Sequence, residues 1–150
     1  MNIMVIPYTP EDIVNHHSVM AVIKNAAGEI LMQEHVKYGF WTLPVGKAKD
    51  GQDIKEGIEE EMLEECNLKL EEYHELVAKD YTYEREGKGV NVTGHIFEVT
   101  KYSGEMKNME PHKQKQQLFL SFEDIKKLPF ISDMTQLYLE QLGYKREVKI

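Results

Sequence analysis

Leu43-Pro44-Val45-Gly46-Lys47, followed by Glu60-Glu61-Met62-Leu63-Glu64-Glu65, decides how this chain is read. Glu61, Glu64 and Glu65 stand at offsets 0, +3 and +4, so three carboxylates fall on one face of a helix. Like charges so spaced oppose each other by roughly 0.2–0.5 kcal/mol per pair on an exposed helix. In a partly desolvated cleft the repulsion grows to about 4 kcal/mol per pair. A fold keeps such a ridge only where water bathes it fully or a cation neutralises it. The donors are all oxygen, which favours Mg²⁺, Mn²⁺ or Ca²⁺ over zinc.

The surrounding pattern supports a helix there. Asp53 can cap its start, and Glu56 three residues later completes a capping-box pattern. The helix is expected to run to Cys66, with Asn67 taking the left-handed conformation at its end. Ile58, Met62, Leu63 and Cys66 form its apolar side, and the three glutamates form another. Upstream, residues 18–24 read as a strand, Asn25-Ala26-Ala27-Gly28 as a turn and residues 29–34 as the returning strand of a hairpin. Residues 40–43 read as a short extended piece and 45–51 as a glycine-containing loop. Downstream, residues 71–83 and 90–100 read as long strands around Glu86-Gly87-Lys88-Gly89. A polar loop spans 102–115, then come a strand over 117–122, a short helix over 123–127 and a last helix over 132–142 stopped by Gly143.

No repeat or linker divides the 150 residues, so the expectation is a single mixed α/β layer domain, with residues 1–17 as an N-terminal arm or first strand. The net charge of −8 argues against a duplex nucleic-acid groove, which needs clustered Lys and Arg. It leaves room for a polyphosphate, because a metal-loaded acidic site supplies its own positive charge. No apolar run approaches the ~18 residues of a membrane span, and the start lacks the basic region of a signal peptide. Cys66 is the only cysteine, so no internal disulfide forms. A cytoplasmic protein is expected.

These residues resemble the box of the Nudix (MutT-like) hydrolases, G-x5-E-x7-R-E-U-x-E-E-x-G-U with U a bulky aliphatic. Gly46, Glu61, Met62, Glu64, Glu65 and Leu68 match it at the right spacing. Trp41, the Leu43-Pro44 lead-in and Lys47 are similar to the family's flanks, and the order of elements fits over roughly residues 18–143. Gln52, Glu60 and Asn67 depart from it, standing where glutamate, arginine and glycine are expected. Val45 replaces a common second glycine. Asn67 shares the backbone tolerance of glycine. Glu60 adds repulsion where the family's arginine resembles a buttress for the catalytic carboxylates; Lys47, Lys49 and Lys55 are the nearby cations able to answer it. Glu34-His35 occupies the place of an arginine frequent on the hairpin's second strand.

The resemblance implies an α/β/α sandwich with a mixed β-sheet and a glutamate-rich helix. It implies a hydrolase acting on phosphoric anhydride bonds, with Mg²⁺ or Mn²⁺ held by Glu61, Glu64, Glu65 and the Val45 carbonyl. Water would attack phosphorus in a nucleoside triphosphate or another nucleoside diphosphate linked to a group X. The general base would be a box glutamate, Glu64 or Glu65, or Glu110, whose setting Asn108-Met109-Glu110-Pro111-His112-Lys113 is similar to a loop of nucleotide-cleaving members. Lys47, Arg85 and Lys88 are the candidate phosphate contacts.

Other signals are weaker. His16-His17 invites a metal reading, but neighbours on a strand point to opposite faces. His95 and His112 stand alone in sequence. Gly87-Lys88-Gly89 lacks the spacing of a phosphate-binding P-loop. Phe40, Trp41, Tyr81, Tyr83 and Phe97 could stack on a base or fill the core. A catalytically weak nucleotide- or metabolite-binding regulatory module is the alternative function, motivated by Gln52, Glu60 and Glu34. A homodimer through residues 1–17 is a candidate assembly.

Overall fold

The computed structural model describes residues 13–49, 51–85 and 88–142, the side chains at 13–16, 81, 83–85 and 88 aside. Alternation of apolar residues along the central strand explains its layering. In β1 (Ile13–Val22) and the residue after it, Val19, Ala21 and Ile23 face one way, while Met20 and Val22 face the other. Both sets are buried, so the sheet is covered on both sides.

The chain continues through β2 (Ile30–His35), β3 (Trp41–Thr42), β4 (Val45–Ala48), α1 (Ile54–Cys66), β5 (Lys69–Arg85), β6 (Lys88–Ser103), β7 (Gln114–Leu120), α2 (Phe122–Lys127) and α3 (Asp133–Gln141). One sheet has the order β4-β1-β6-β5 and the other β3-β2-β7. β1 runs antiparallel to β4 and parallel to β6, so the larger sheet is mixed. On one face α1 packs through Ile58, Met62 and Cys66 onto Val19, Ala21, Phe97 and Val99. On the other, α2 and α3 pack through Ile125, Tyr138 and Leu139 onto Met20, Val22 and Ile96. The expected α/β/α sandwich is present. Ile58 and Met62 are fully buried, each contributing about 1.5–3 kcal/mol.

Several expectations need correction. Residues 45–48 form β4 instead of a loop, because their backbone pairs with residues 17–20 of β1. The first strand begins at least at Ile13, and residues 1–12 of the expected N-terminal arm lie outside the described residues. The β1–β2 hairpin is only a stub around Asn25 and Gly28, with Lys24 opposite Ile30, after which the two strands enter different sheets. The loop after β6 is shorter than expected, since β7 starts at Gln114, and Phe122 opens α2 instead of closing the strand. Leu63 points to solvent at 55% exposure, and Glu65 takes a place on the buried side of α1. The tip residues 86 and 87 and Gly143 also lie outside the described residues.

Candidate active site

Helix α1 is set against β4 by small residues. A Cβ on Gly57 would sit 3.1 Å from the Ala48 Cβ, so glycine permits the close approach. Asp53 caps the helix by accepting from the Lys55 N–H at 2.9 Å. Asn67 ends it at φ 61°, ψ 31°, the left-handed geometry that asparagine tolerates. One turn on from Gly57, the Glu61 carboxyl lies directly over Gly46 of β4. A Cβ on Gly46 would overlap that carboxyl, so the glycine is a cradle for it.

The ridge is electrostatically strained. Burial pushes the Glu61 carboxyl up to about 7, helped by the charges of Glu64, Glu110 and Glu60 and opposed by Lys113. Burial, then Glu61 and Glu110, push Glu65 up to about 8, with Gln33 and Lys113 opposing. Oε2 of Glu65 is buried with no hydrogen-bond partner. Glu64 is exposed on the outer flank. A buried amide layer lies beneath: Gln117 Nε2 donates to Gln33 Oε1 at 2.9 Å and to the Glu65 carbonyl at 3.2 Å.

The loop between β6 and β7 brings Glu110 to this ridge. The Lys107 and Met109 N–H groups donate to the Cys66 and Glu65 carbonyls at 3.0 and 3.1 Å, tying the loop to the end of α1. Asn108 accepts from the Glu110 N–H and donates to the Gln114 carbonyl, which fixes the loop's shape. Lys113 Nζ lies 3.0 Å from Glu110 Oε2, and His112 Nε2 lies 3.9 Å from the same oxygen.

The departures at Gln52 and Glu60 are coupled. Gln52 Nε2 donates to Glu60 Oε2 at 2.7 Å, and the Lys49 ammonium pairs with Glu60 Oε1. Gln52 Oε1 in turn accepts from the Lys49 N–H at 3.0 Å. The hydrogen bonds from Lys49 and Gln52 hold Glu60 below the usual carboxylate range. Lys49, not Lys47 or Lys55, supplies the missing positive charge.

A NUDIX domain family profile matches residues 14–141, a span that contains Gly46, the whole glutamate ridge and the Glu110 loop. The chain belongs to the NUDIX family. Membership makes it a hydrolase of pyrophosphate bonds, and Nudix hydrolases generally use divalent metal ions. No curated protein sequence matches it significantly. The fold is similar to the MutT NUDIX hydrolase from Burkholderia pseudomallei at 23% identity and TM-score 0.73, covering 85% of this chain and 98% of that one. It is similar to the MutT protein from Methanosarcina mazei Go1 at 21% identity and TM-score 0.67, covering 87% and 94%. A C. elegans Ap4A hydrolase shares 20% identity at TM-score 0.59, covering 87% and 99%. Likenesses at this identity establish the common fold.

Against this Nudix frame, Glu61, Glu65 and Glu110 come together, with Glu64 on the rim. Among the described residues no three His, Cys, Asp or Glu side chains already close into a metal cage. The donor set nevertheless fits a hard cation: the half-buried Glu61 and the buried Glu65 crowd each other, and one buried oxygen of Glu65 lacks a partner. Lys47 alternates with Gly46 and Ala48, which places it on the opposite face of β4 from Glu61. Arg85 and Lys88 pair across β5 and β6, but their side chains lie outside the described residues, as do those of Tyr81 and Tyr83. Trp41 and Phe97 are core residues, while Phe40 packs beside His35 and Tyr38. Sequence reasoning did not single out Lys113 or Gln33. The signal for Lys113 was its spacing three residues after Glu110; nothing local marked Gln33, which needs the β2–β7 pairing to lie beside Gln117.

Proposed function

We propose that this Nudix protein hydrolyses a nucleoside triphosphate, or another nucleoside diphosphate linked to a group X, by divalent-cation-dependent attack of water on phosphorus. The observation that carries the reading is the half-buried Glu61 beside the buried Glu65, two crowded carboxylates, with the Glu61 carboxyl cradled on Gly46. Glu61, Glu64, Glu65 and the Val45 carbonyl would hold Mg²⁺ or Mn²⁺. When bound, the ion offsets phosphate charge and acidifies the attacking water.

The chain's own groups do the rest. Glu110 stands beside the ridge as the loop candidate for general base, with Glu64 and Glu65 as the box candidates. Lys113, paired to Glu110 at 3.0 Å, orients that carboxylate and offers an ammonium to a phosphate oxygen. It is better placed for that contact than Lys47, which faces away. Arg85 and Lys88 stay candidates for the outer phosphates. The alternative of a binding module without catalysis rested on Gln52, Glu60 and Glu34. Lys49 neutralises Glu60 and Gln52 hydrogen-bonds it, and Gln116 Nε2 donates to Glu34 Oε1 at 3.0 Å, which weighs against it.

Among the described residues no helix is long and apolar enough to cross a membrane, and the acidic composition supports a small-molecule substrate over duplex nucleic acid. We place the protein in the cytoplasm and take a homodimer as its candidate assembly. The test is pyrophosphate or phosphate release over a panel of nucleoside triphosphates and dinucleoside polyphosphates with Mg²⁺ or Mn²⁺. Cation-dependent turnover by the parent and its loss in Glu65→Gln are expected. Folded parent with no turnover on any member would overturn the reading.

A further inference from the structure

His17 looked in sequence like half of a His16-His17 pair, and His95 like a lone histidine. The fold gives them to each other. β1 and β6 run parallel with His17 opposite Thr93 and His95 opposite Val19, so the two histidines are diagonal neighbours on the face that α1 covers. Nδ1 of His17 lies 3.1 Å from Nε2 of His95. The rings stack with centroids 5.3 Å apart at 28°. His95 is largely enclosed, its side chain 12% exposed, and its ring lies over the buried Phe97. On its other side, His95 Nδ1 is 2.8 Å from Glu75 Oε2 on β5.

The carboxylate sets the chemistry of the pair. An ionised Glu75 can only accept, so its bond holds the proton of neutral His95 on Nδ1. Nε2 of His95 is then a bare lone pair, aimed at His17 Nδ1. In the metal-free protein His17 satisfies it as a donor. Two imidazole nitrogens on one tetrahedral ion, each about 2.0–2.1 Å from the metal, stand about 3.3–3.4 Å apart. The observed 3.1 Å is close to that span, and both rings would turn so that their lone pairs converge on the ion. A carboxylate behind a ligating histidine is also the outer-shell arrangement that fixes tautomer and raises ligand basicity in metal sites.

We propose that His17 Nδ1 and His95 Nε2 chelate a borderline transition-metal ion such as Zn²⁺, with Glu75 as the outer carboxylate. Binding shifts the proton of neutral His17 from Nδ1 to Nε2, so that Nδ1 of His17 and Nε2 of His95 both present lone pairs to the ion and no net proton is lost. No third His, Cys, Asp or Glu side chain completes the set among the described residues, so water fills the remaining positions. The site is separate in place and in ligand type from the glutamate ridge. His17 stands opposite Ala48, the residue that lies beneath Gly57 in the first half of α1, whereas Glu61 stands over Gly46. Nitrogen donors select zinc-like ions, and the oxygen ridge selects Mg²⁺ or Mn²⁺. The ion would tie β1 to β6 directly and to β5 through Glu75.

The test is competition for Zn²⁺ against a chromophoric chelator near neutral pH, with excess Mg²⁺ present to occupy the oxygen ridge. The full chain is expected to take up about one equivalent, and the ring ¹⁵N resonances of two histidines are expected to shift together. His17→Ala and His95→Ala should each weaken binding at least tenfold, and Glu75→Gln about tenfold. His17 is exposed, so His17→Ala keeps the test decisive even where His95→Ala disturbs the sheet. Zinc affinity unchanged in His17→Ala, or uptake abolished by Mg²⁺ alone, would overturn the proposal.

Discussion

Glu60 and Glu61 are neighbours in the chain and opposites in their surroundings. Glu60 is met on both oxygens, by the Lys49 ammonium and by Gln52 Nε2, and its carboxyl is held low. Glu61 is tucked over Gly46 among other carboxylates and is pushed up to about 7. The first half of α1 thus carries acids with partners: Glu59 likewise accepts from the Tyr73 hydroxyl. The second half carries acids that the protein crowds together without adequate partners. On the proposed reading, a fold that satisfies one acid and starves the next gives up stability that a bound cation would restore.

Removing the starved half should have the largest effect. Glu65→Gln or Glu64→Gln is expected to cut turnover on the order of 10²-fold or more. The metal-free Glu65→Gln protein should melt no lower than the parent near pH 8, because the variant removes a buried carboxylate lacking a partner on Oε2. Steady-state kinetics beside a melting curve checks both. A variant equally active would show the two halves to be alike. Gly46→Ala attacks the same half through shape. Its Cβ would evict the Glu61 carboxyl, so turnover should fall at least about tenfold, with about 1–3 kcal/mol of overpacking visible in denaturant titration.

Titration sharpens the contrast further. Folded Glu61 and Glu65 hold protons up to about 7 and about 8, whereas the ordinary carboxylate value is 4.5. Between those values the native state binds more protons than the unfolded one, so stability falls as pH rises. Relative stabilisation is fully present below about pH 4.5 and lost through pH 7–8. Metal-free protein should lose on the order of 2 kcal/mol between about pH 5.5 and 8.5, a figure discounted because Glu61 is only half buried. Saturating Mg²⁺ should flatten that slope. A metal-free protein that gains stability over this range would contradict the contrast.

Much of this was legible in the chain because it depends on local spacing. The helix, its Asp53 cap and Asn67 end, and the glutamates at 0, +3 and +4 are all matters of a few neighbouring residues. The strand at Val45–Ala48 was not, because its pairing with β1 reaches back across most of the β2–β3 region and leaves only a two-glycine, loop-like signal locally. Burial of Glu65 was hidden for the same reason: what covers it is the amide layer of Gln33 and Gln117 from β2 and β7. The Lys49–Gln52–Glu60 cluster explains how a box with apparently damaging departures is kept, and only side-chain geometry reveals that the departures answer one another.

The partnered half of the helix gives the smallest expected effect. Glu60→Arg alone sets a second cation beside Lys49 and should weaken turnover a few-fold, contrary to what restoring a family residue would suggest. Adding Gln52→Glu gives the arginine its own partner and should bring activity back to the parental level. Activity that rises with Glu60→Arg alone would mean that the Lys49 arrangement is a defect instead of a substitute.

Calorimetric titration of Mn²⁺ into metal-free protein tests the central claim most directly, that the ridge of Glu61, Glu64 and Glu65 is a cation site. The account predicts saturable binding by the parent, weakened more than tenfold by Glu65→Gln and left nearly intact by His17→Ala. No binding heat from the parent at any Mn²⁺ concentration up to the millimolar range, matched by an unchanged melting temperature, would contradict it.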